Sequence, residues 1–595
     1  MTQSTLKGFL PRIGSPAYHL LLATVAIFIL GPLGGVSAAF MNFSIGFFVG
    51  GQVLAGILGS AVTLSYGPEG KHGANYLQTM AASVAGMCGM GVLIQAMSWL
   101  GLPQPPGWQL ALYFMCIGMF GVGVGMLYTP ILVDKMQLSF PSGFAVANIL
   151  RALTDPKLLR QSIAKLGGGI FGGYIGGVAS LKVAAVEHLG ISASTFGAGM
   201  IVGARIAIPA LVVAFVGDQL KPYLVGIGWL EEGAPFRKIG FIIALGTILG
   251  AAVVDIILLL IQAVQKLRQP AMAAAPVEEW KKTNTLRLVL WVLFWGAGIV
   301  IVGSQILHQP PLFLVVAVLL CLLFVLVNGI SLGISDSNPI SSAFVMAVFI
   351  LAALGLKDPG VGLMCAAVLL IACTVGGDMQ QDRSTGWRLG TNRVVQFRYQ
   401  VIGIAMGAIL AVVLAKTFMN AYPVLTQDQF GQKVEGAEKW QSAMTYKFVG
   451  ALRGITTDQP HVMKALQLGI ALGLLIEVIR KILKSRASYK KFATGSRTGR
   501  VTDFVLDAFI IPSPYASSFG GFVELATTYW WAAGGVLSSI FDWTQAKLKS
   551  RRTVDLEGEL PADMSTMSLV GGGLIAGDSL AALSVGIYSL LRTVL

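Results

Sequence analysis

The residues in this chain that could do chemistry are ionisable and amide side chains set inside apolar runs. Arg205 stands in Ile201-Val202-Gly203-Ala204-Arg205-Ile206-Ala207, Asp255 in Val253-Val254-Asp255-Ile256-Ile257, and Asp578 in Ala576-Gly577-Asp578-Ser579. A charged side chain at the centre of a membrane helix costs about 2.5–3.5 kcal/mol on insertion scales, so each needs a partner or a water-filled cavity. Arg205 fits either a structural pair with a carboxylate or contact with an anionic solute. Asp255 and Asp578 are candidate proton carriers, because low dielectric disfavours the ionised carboxylate. Glu477, Asp507 and Glu524 stand nearer run ends or basic stretches, where ordinary charge pairing is expected.

Two further clusters combine polar side chains with helix-breaking residues. Asn328-Gly329, Ser335-Asp336-Ser337-Asn338-Pro339 and Ser341-Ser342 form the first; Gly376-Gly377-Asp378-Met379-Gln380-Gln381-Asp382-Arg383-Ser384-Thr385-Gly386 forms the second. A broken helix frees backbone N–H and C=O groups, which at membrane depth are tolerated only against protein or a wet cavity. Both clusters are therefore candidate solute contacts, with a surface loop between spans as the alternative. Enzyme chemistry finds little to build on: there is no HExxH, and His19, His72, His188, His308 and His461 are scattered without ligand spacing. No GxxxxGK[ST] occurs to support ATP-driven work. Cys88, Cys116, Cys321, Cys365 and Cys373 show no CxxC spacing and read as small buried hydrophobes, so neither a metal site nor a cofactor is expected.

The elements that must position these groups are membrane helices. Of 595 residues, 55% are hydrophobic and 12% charged, against about 25% charged in soluble chains. Apolar runs lie near 17–38, 45–66, 75–100, 108–128, 140–154, 164–188, 192–217 and 236–264, and again near 286–307, 311–333, 338–356, 359–376, 395–418, 460–484, 502–540 and 566–593. The expectation is an all-α polytopic membrane protein of about sixteen transmembrane or re-entrant helices (roughly 14–18), in two pseudo-repeats of about eight. The repeats span 1–264 and 285–595, joined by a connecting loop at 265–284; the second carries a polar loop at 420–459 and a basic loop at 480–501. The run 140–154 is short for a crossing, and 502–540 is interrupted at Pro512-Ser513-Pro514.

The net charge of +14 is gathered in short connections, which is the pattern of topology signals rather than of a nucleic-acid surface. Arg480, Lys481, Lys484, Arg486, Lys490, Lys491, Arg497 and Arg500 have no acidic residue among them. That loop is expected in the cytoplasm, within reach of anionic lipid. A cytoplasmic N-terminus puts 265–284 and Arg383 to Arg398 on the same side, whereas Lys547 to Arg552 fits less well. The apolar stretch after Lys7 and Arg12 is longer than the core of a cleaved signal, and the cell membrane is the expected location.

Ser142-Gly143 through Gly172-Gly173 can be laid along Gly377-Asp378 through Met406-Gly407, a faint internal repeat of the kind that builds transporters around a central site. Glycines recur at four-residue spacing in Gly168 and Gly172, Gly173 and Gly177, Gly199 and Gly203, and Gly403 and Gly407. Small residues at that spacing let helix backbones approach closely; the other reading is that some mark unwound segments.

At these segments the chain resembles the oligopeptide transporter family, which includes the yellow-stripe-like metal-chelate transporters. Gly377-Asp378-Met379-Gln380-Gln381-Asp382-Arg383-Ser384-Thr385-Gly386-Trp387-Arg388-Leu389-Gly390, followed by Gln400-Val401-Ile402-Gly403, is similar to the family's "GD-MQD-KTG-LLG" and "Q-IG". Asn75-Tyr76-Leu77-Gln78-Thr79-Met80-Ala81 is similar to "N-VQTMAS", Phe140-Pro141-Ser142-Gly143-Phe144-Ala145 to "YP-G-A", Gly197 to Arg205 to "G-GYIVG-R", and Ser337-Asn338-Pro339-Ile340-Ser341 to "NNPIS". The stretch Asn420 to His461 carries no such segment. Ala74 precedes Asn75, and Asp336-Ser337 precede Asn338, where the family often has another Asn; Arg383 and Arg388 replace positions that are often Lys or uncharged.

The resemblance implies secondary active symport, usually proton-driven, of small peptides, glutathione-like compounds or metal complexes of amino-acid-derived chelators. The partners are then a small solute, protons and the bilayer, with no nucleic acid and with any metal arriving as part of the solute. Asn75, Gln78, Thr79, Asn338, Asp378, Gln381 and Asp382 are expected to line or shape the pathway, and Arg205 to balance a carboxylate. Asp255, Asp378, Asp382 or Asp578 would carry the coupling proton. A passive channel for a small polar solute is the alternative.

Overall fold

The computed structural model describes residues 10–44, 56, 59–60, 62–154, 156–183, 191–268, 278–335, 338, 340–429, 434, 440, 442–454, 460–522, 525–549 and 565–594. Among the described residues all regular structure is helical. In chain order the α-helices are α1 Pro16–Val25, α2 Gly31–Ser44, α3 Gly70–Gly89, α4 Val92–Trp99, α5 Gly107–Thr129, α6 Pro141–Thr154, α7 Pro156–Lys182, α8 Ala193–Val202, α9 Ala204–Gln219, α10 Lys221–Gly226 and α11 Arg237–Arg268. They continue with α12 Thr285–Ile301, α13 Pro311–Ser335, α14 Ile340–Ala353, α15 Pro359–Leu389, α16 Arg393–Ala421, α17 Ala443–Gly454, α18 Pro460–Ser485, α19 Ala487–Gly495, α20 Arg497–Val505, α21 Pro514–Phe522, α22 Leu525–Lys549 and α23 Thr566–Val594. Eight helical stretches among the described residues are long and apolar enough to cross a membrane, and Ala193–Val202 and Ala343–Ala353 are shorter apolar helices. The fold is that of an all-α polytopic membrane protein.

The helices of the two sequence halves interleave. α3 packs on α16, α7 on α23, α11 on α18 and α5 on α15. At the centre of one group stands α15, with α3, α5 and α6 from the first half and α13, α14 and α16 from the second around it.

One expectation about α15 is corrected. Gly376 to Gly386 is not a break: α15 runs without interruption from Pro359 to Leu389. Asp358 caps its start, accepting from Gly360 N at 2.7 Å and Val361 N at 3.3 Å, and Pro359 occupies the first turn. It ends at Gly390, whose φ of 72° is the left-handed conformation of a helix terminus. Glycine inside a helix costs only about 1 kcal/mol relative to Ala, and tight packing offsets that here. A Cβ on Gly376 would lie 2.7 Å from Val325 Cγ1, and one on Gly125 of α5 would lie 2.9 Å from Gly376 O. It follows that Arg383, expected in a cytoplasmic connection, is fully buried in the helix array.

Other breaks are present where expected. α13 ends at Ser335 and α14 begins at Ile340, with Asn338 between them; Asp336, Ser337 and Pro339 lie outside the described residues. The 502–540 run is divided into α20, a π-turn at Leu506–Ile510, α21 and α22, and Glu524 lies outside the described residues. The run at 192–217 is also divided, by Gly203 at φ 79°, and the N–H of Ala204 freed there donates to Ser539 Oγ at 2.9 Å.

Glycines at three of the four noted pairs sit in close helix contacts. Gly199 packs on Trp531, Gly403 on Met80 and Gly407 on Met87, while Gly173 and Gly177 face Leu574 and Asp578 of α23. Gly168 faces nothing within 4 Å, because the close seam runs one residue over, through Gly169.

Candidate functional site

The site is built on α3, α15 and α16. Asn75 and Gln78 are three residues apart on α3 and share a face: Asn75 Nδ2 donates to Gln78 Oε1 at 2.7 Å. Gln78 Nε2 in turn donates to Asp382 Oδ1 on α15 at 2.8 Å. From α16, Gln396 Nε2 donates to Thr79 Oγ1 at 2.9 Å and to the Asp382 backbone oxygen at 2.8 Å. All five of these side chains are fully buried. Three helices are thus joined by one polar ladder whose only ionisable member is Asp382.

Several polar atoms around the ladder have no hydrogen-bond partner among the described residues: Asp382 Oδ2, Asn75 Oδ1, Gln396 Oε1, both amide atoms of Gln380 and of Gln400, and all three guanidinium nitrogens of Arg383. Burying such a group dry costs about 1–3 kcal/mol, more when it is charged. Native proteins satisfy such groups with water or ligand, so this surface is chemically suited to contact a polar solute.

The α13–α14 break meets the same helix. Asn328 Nδ2 donates to Asn338 Oδ1 at 3.1 Å, and Asn338 Nδ2 donates to Cys373 O on α15 at 3.0 Å. Asp378 faces Gly86 of α3, where a Cβ would lie 2.6 Å from its Oδ2. Gln381 is buried, and its backbone oxygen lies against Gly143 of α6. Further along α15 is a cavity of about 320 Å³ lined by Val133, Gln137, Leu138, Phe144, Arg151, Trp387 and Arg388.

The structure therefore brings together Asn75, Gln78, Thr79, Asn338, Asp378, Gln381 and Asp382. It places two other candidates elsewhere. Asp578 Oδ2 accepts from the Ser194 backbone N–H at 3.0 Å in the first turn of α8, a position where a helix favours negative charge. Arg205, on α9, donates to Asp503 Oδ2 at 2.5 Å and Asp507 Oδ2 at 2.8 Å. Asp255 belongs to α11, and its side chain lies outside the described residues. Arg383, Gln380, Gln396 and Gln400 were not singled out by the sequence as pathway residues. Gln380, Arg383 and Gln400 lie within the segments that carried the family resemblance, and Gln396 lies between them.

The Arg205 cluster is a structural node. Asp507 also accepts from Arg480 at 2.9 Å and from Lys484 at 2.6 Å, and Tyr489 Oη donates to Asp503 Oδ1 at 2.6 Å. Burial works against the charge on Asp503, but the hydrogen bonds from Tyr489 and Arg205 and the Lys484 ammonium outweigh it, so its carboxyl titrates below its ordinary value. A carboxyl lowered on folding contributes stability above its unfolded pKa, and that contribution is lost as pH falls through the folded value. Asp507 is 5% exposed and joins three cations. Asp507→Asn is expected to destabilise the protein by about 3 kcal/mol, read as a lowered melting temperature in detergent. An unchanged melting temperature would remove the cluster from the account of stability.

Among the described residues, a strand-free array of apolar helices packs around a buried amide–carboxylate ladder, which defines a polytopic membrane protein with a polar interior. The model of the OPT oligopeptide transporter protein family matches residues 15–216 and 279–588. The chain belongs to that family, which places it among transporters rather than enzymes and makes it a multi-pass integral membrane protein. The match runs through Asn420 to His461, where the sequence offered no recognisable segment. The "Probable metal-nicotianamine transporter YSL8" of Oryza sativa subsp. japonica is 27% identical over 150 residues, 25% of this chain and 22% of that protein. The "Putative oligopeptide transporter YGL114W" of Saccharomyces cerevisiae (strain ATCC 204508 / S288c) is 26% identical over 283 residues, 47% of this chain and 33% of that protein. The chain thus aligns with a third or less of the length of either relative.

Proposed function

We propose that the protein is a secondary active symporter that couples proton entry to uptake of a small peptide or amino-acid-derived compound, free or as a metal chelate. The observation that carries this reading is the position of Asp382. It is the one carboxylate in a buried ladder shared by three helices, with one oxygen held by Gln78 and the other without a hydrogen-bond partner among the described residues. A carboxylate so placed can take up and release a proton while the amides around it reorganise. The names of the two relatives support the peptide and chelate classes. Among the described residues no group of three or more His, Cys, Asp or Glu could hold a metal ion, so in this reading a metal travels with its chelator as cargo. The N-terminus and the 480–501 loop are assigned to the cytoplasm by their charge.

Proteoliposomes carrying an inward proton gradient test the coupling. Radiolabelled dipeptides, glutathione and metal-loaded nicotianamine are supplied outside, and at least one is expected to accumulate above its external concentration, with the effect abolished by a protonophore. Flux that only ever runs downhill would favour a passive channel instead.

A further inference from the structure

Arg383 is the least expected group in the site. It is fully buried, and its Nε, Nη1 and Nη2 have no hydrogen-bond partner among the described residues. The charged or titratable groups facing it are Asp382, Arg393 and Tyr76. Arg393 already has a carboxylate of its own, donating from both terminal nitrogens to Asp134. Tyr76 is stacked on Tyr399, with ring centroids 5.3 Å apart. Asp382 is therefore the available counter-charge, but it is the next residue on the same helix. Successive helical residues diverge by about 100° and do not face one another, so the pair attract through space without forming the two-pronged hydrogen bond that a guanidinium makes with a carboxylate. Asp382 spends its Oδ1 on Gln78. The groups facing Asp382 itself are Asp378 and Arg383 on its own helix and the Thr79 hydroxyl of α3, with Gln78 from α3 and Gln396 from α16.

A buried guanidinium with an ill-placed counter-ion and unused donors is suited to a carboxylate that comes from outside. We propose that Arg383 binds a carboxylate of the transported solute, and that Asp382 is its counter-ion only when the site is empty. This rests on the symport reading above and adds how charge is balanced. In the empty site Asp382 is ionised and Arg383 protonated, and the pair sums to zero. When a proton from the bulk bonds to Asp382 and a solute carboxylate docks on Arg383, the sum is again zero. Neither event alone leaves the buried site neutral, so each favours the other. Linkage of this kind makes the solute bind better at lower pH and the proton bind better with solute present.

The test compares dialanine and glutathione with their carboxyl-amidated forms, by thermal stabilisation of the purified full chain and by uptake into proteoliposomes. For wild type, the free acid is expected to bind about 100-fold more tightly than the amide, the scale for removing one member of a buried, hydrogen-bonded charge pair. Arg383→Gln should reduce that preference to below about 3-fold while leaving amide binding nearly unchanged, and Arg383→Lys should restore part of it. Retention of the full preference in Arg383→Gln overturns the proposal and leaves symport intact. If wild type binds none of these compounds, the proposal and the peptide reading fall together. Should Arg383→Gln not fold, wild type alone decides: binding of dialanine should tighten as pH falls from about 7.5 to about 5.5, because the proton on Asp382 and the docked carboxylate favour one another, whereas binding of its amide should not. An equal pH dependence for acid and amide overturns the proposal.

Discussion

Asp382→Asn is expected to cut proton-driven uptake by roughly 100-fold, the upper part of the range for linked binding sites, and to flatten its dependence on pH. Asn is nearly isosteric and keeps an oxygen where Gln78 Nε2 donates at 2.8 Å, so the α3–α15 contact is retained, and solute affinity should not weaken, because a neutral residue here mimics the protonated form that favours carboxylate docking. The substitution also removes the carboxylate that faces the guanidinium of Arg383 among the described residues. Leaving a buried charge uncompensated costs about 3–5 kcal/mol, so the single variant should melt at a lower temperature. The double variant Asp382→Asn, Arg383→Gln should recover much of that loss without recovering coupling. Initial rates across a pH series together with melting curves separate the two effects. Full pH-dependent uptake by Asp382→Asn would take this residue out of the mechanism.

Gly577→Leu is expected to prevent accumulation of folded protein. Gly577 of α23 is pressed against α7, where any Cβ would fall on the Ile170 carbonyl oxygen and lie 2.5 Å from Tyr174 N and 2.9 Å from Gly173 C. These are backbone atoms of a packed helix and cannot swing aside as a side-chain end can. Overpacking against movable side chains costs about 1–3 kcal/mol, and separating two helix backbones costs more. In a bilayer no hydrophobic drive compensates for lost close packing. Gly168→Ala is the matched comparison: nothing lies within 4 Å of a Cβ there, so Ala should be neutral or stabilise by about 0.5–1 kcal/mol. Yield of monodisperse protein in detergent checks both. Normal yield of Gly577→Leu would mean that α7 and α23 do not pack as described.

The membrane class was plain from the apolar runs, because bilayer thickness sets helix length directly. The candidate site residues of α3 and α15 were legible for a related reason: polar side chains in apolar runs are costly enough to be conspicuous. What one sequence could not supply was which of them meet. Gln78 and Asp382 are 304 residues apart, and Arg205 is 298 residues from Asp503. No spacing rule reaches across such distances, so a helix-packing ion pair and a pathway residue look alike in isolation. Asp578 illustrates the same limit, since its partner, the Ser194 N–H, belongs to a helix start 384 residues away. The misreading of 376–386 as a break has a local cause. Glycine and polar density there imitates a loop, whereas in the fold Gly376 is closely packed by α5 and α13 and Gly386 by side chains of α3 and α16. Arg383 was counted as a topology charge for the same reason, because its burial is created by neighbours rather than by its flanking sequence.

The central claim is that solute and proton move together through the Asp382 ladder, and the most direct measurement imposes no proton gradient at all. Proteoliposomes holding a pH-sensitive dye, at equal pH inside and out, are given a solute established by the uptake screen on the outside only. The account predicts that the lumen acidifies as solute enters, in proportion to the solute taken up, and that Asp382→Asn vesicles take up solute without acidifying. Solute entry into wild-type vesicles at constant internal pH would contradict it.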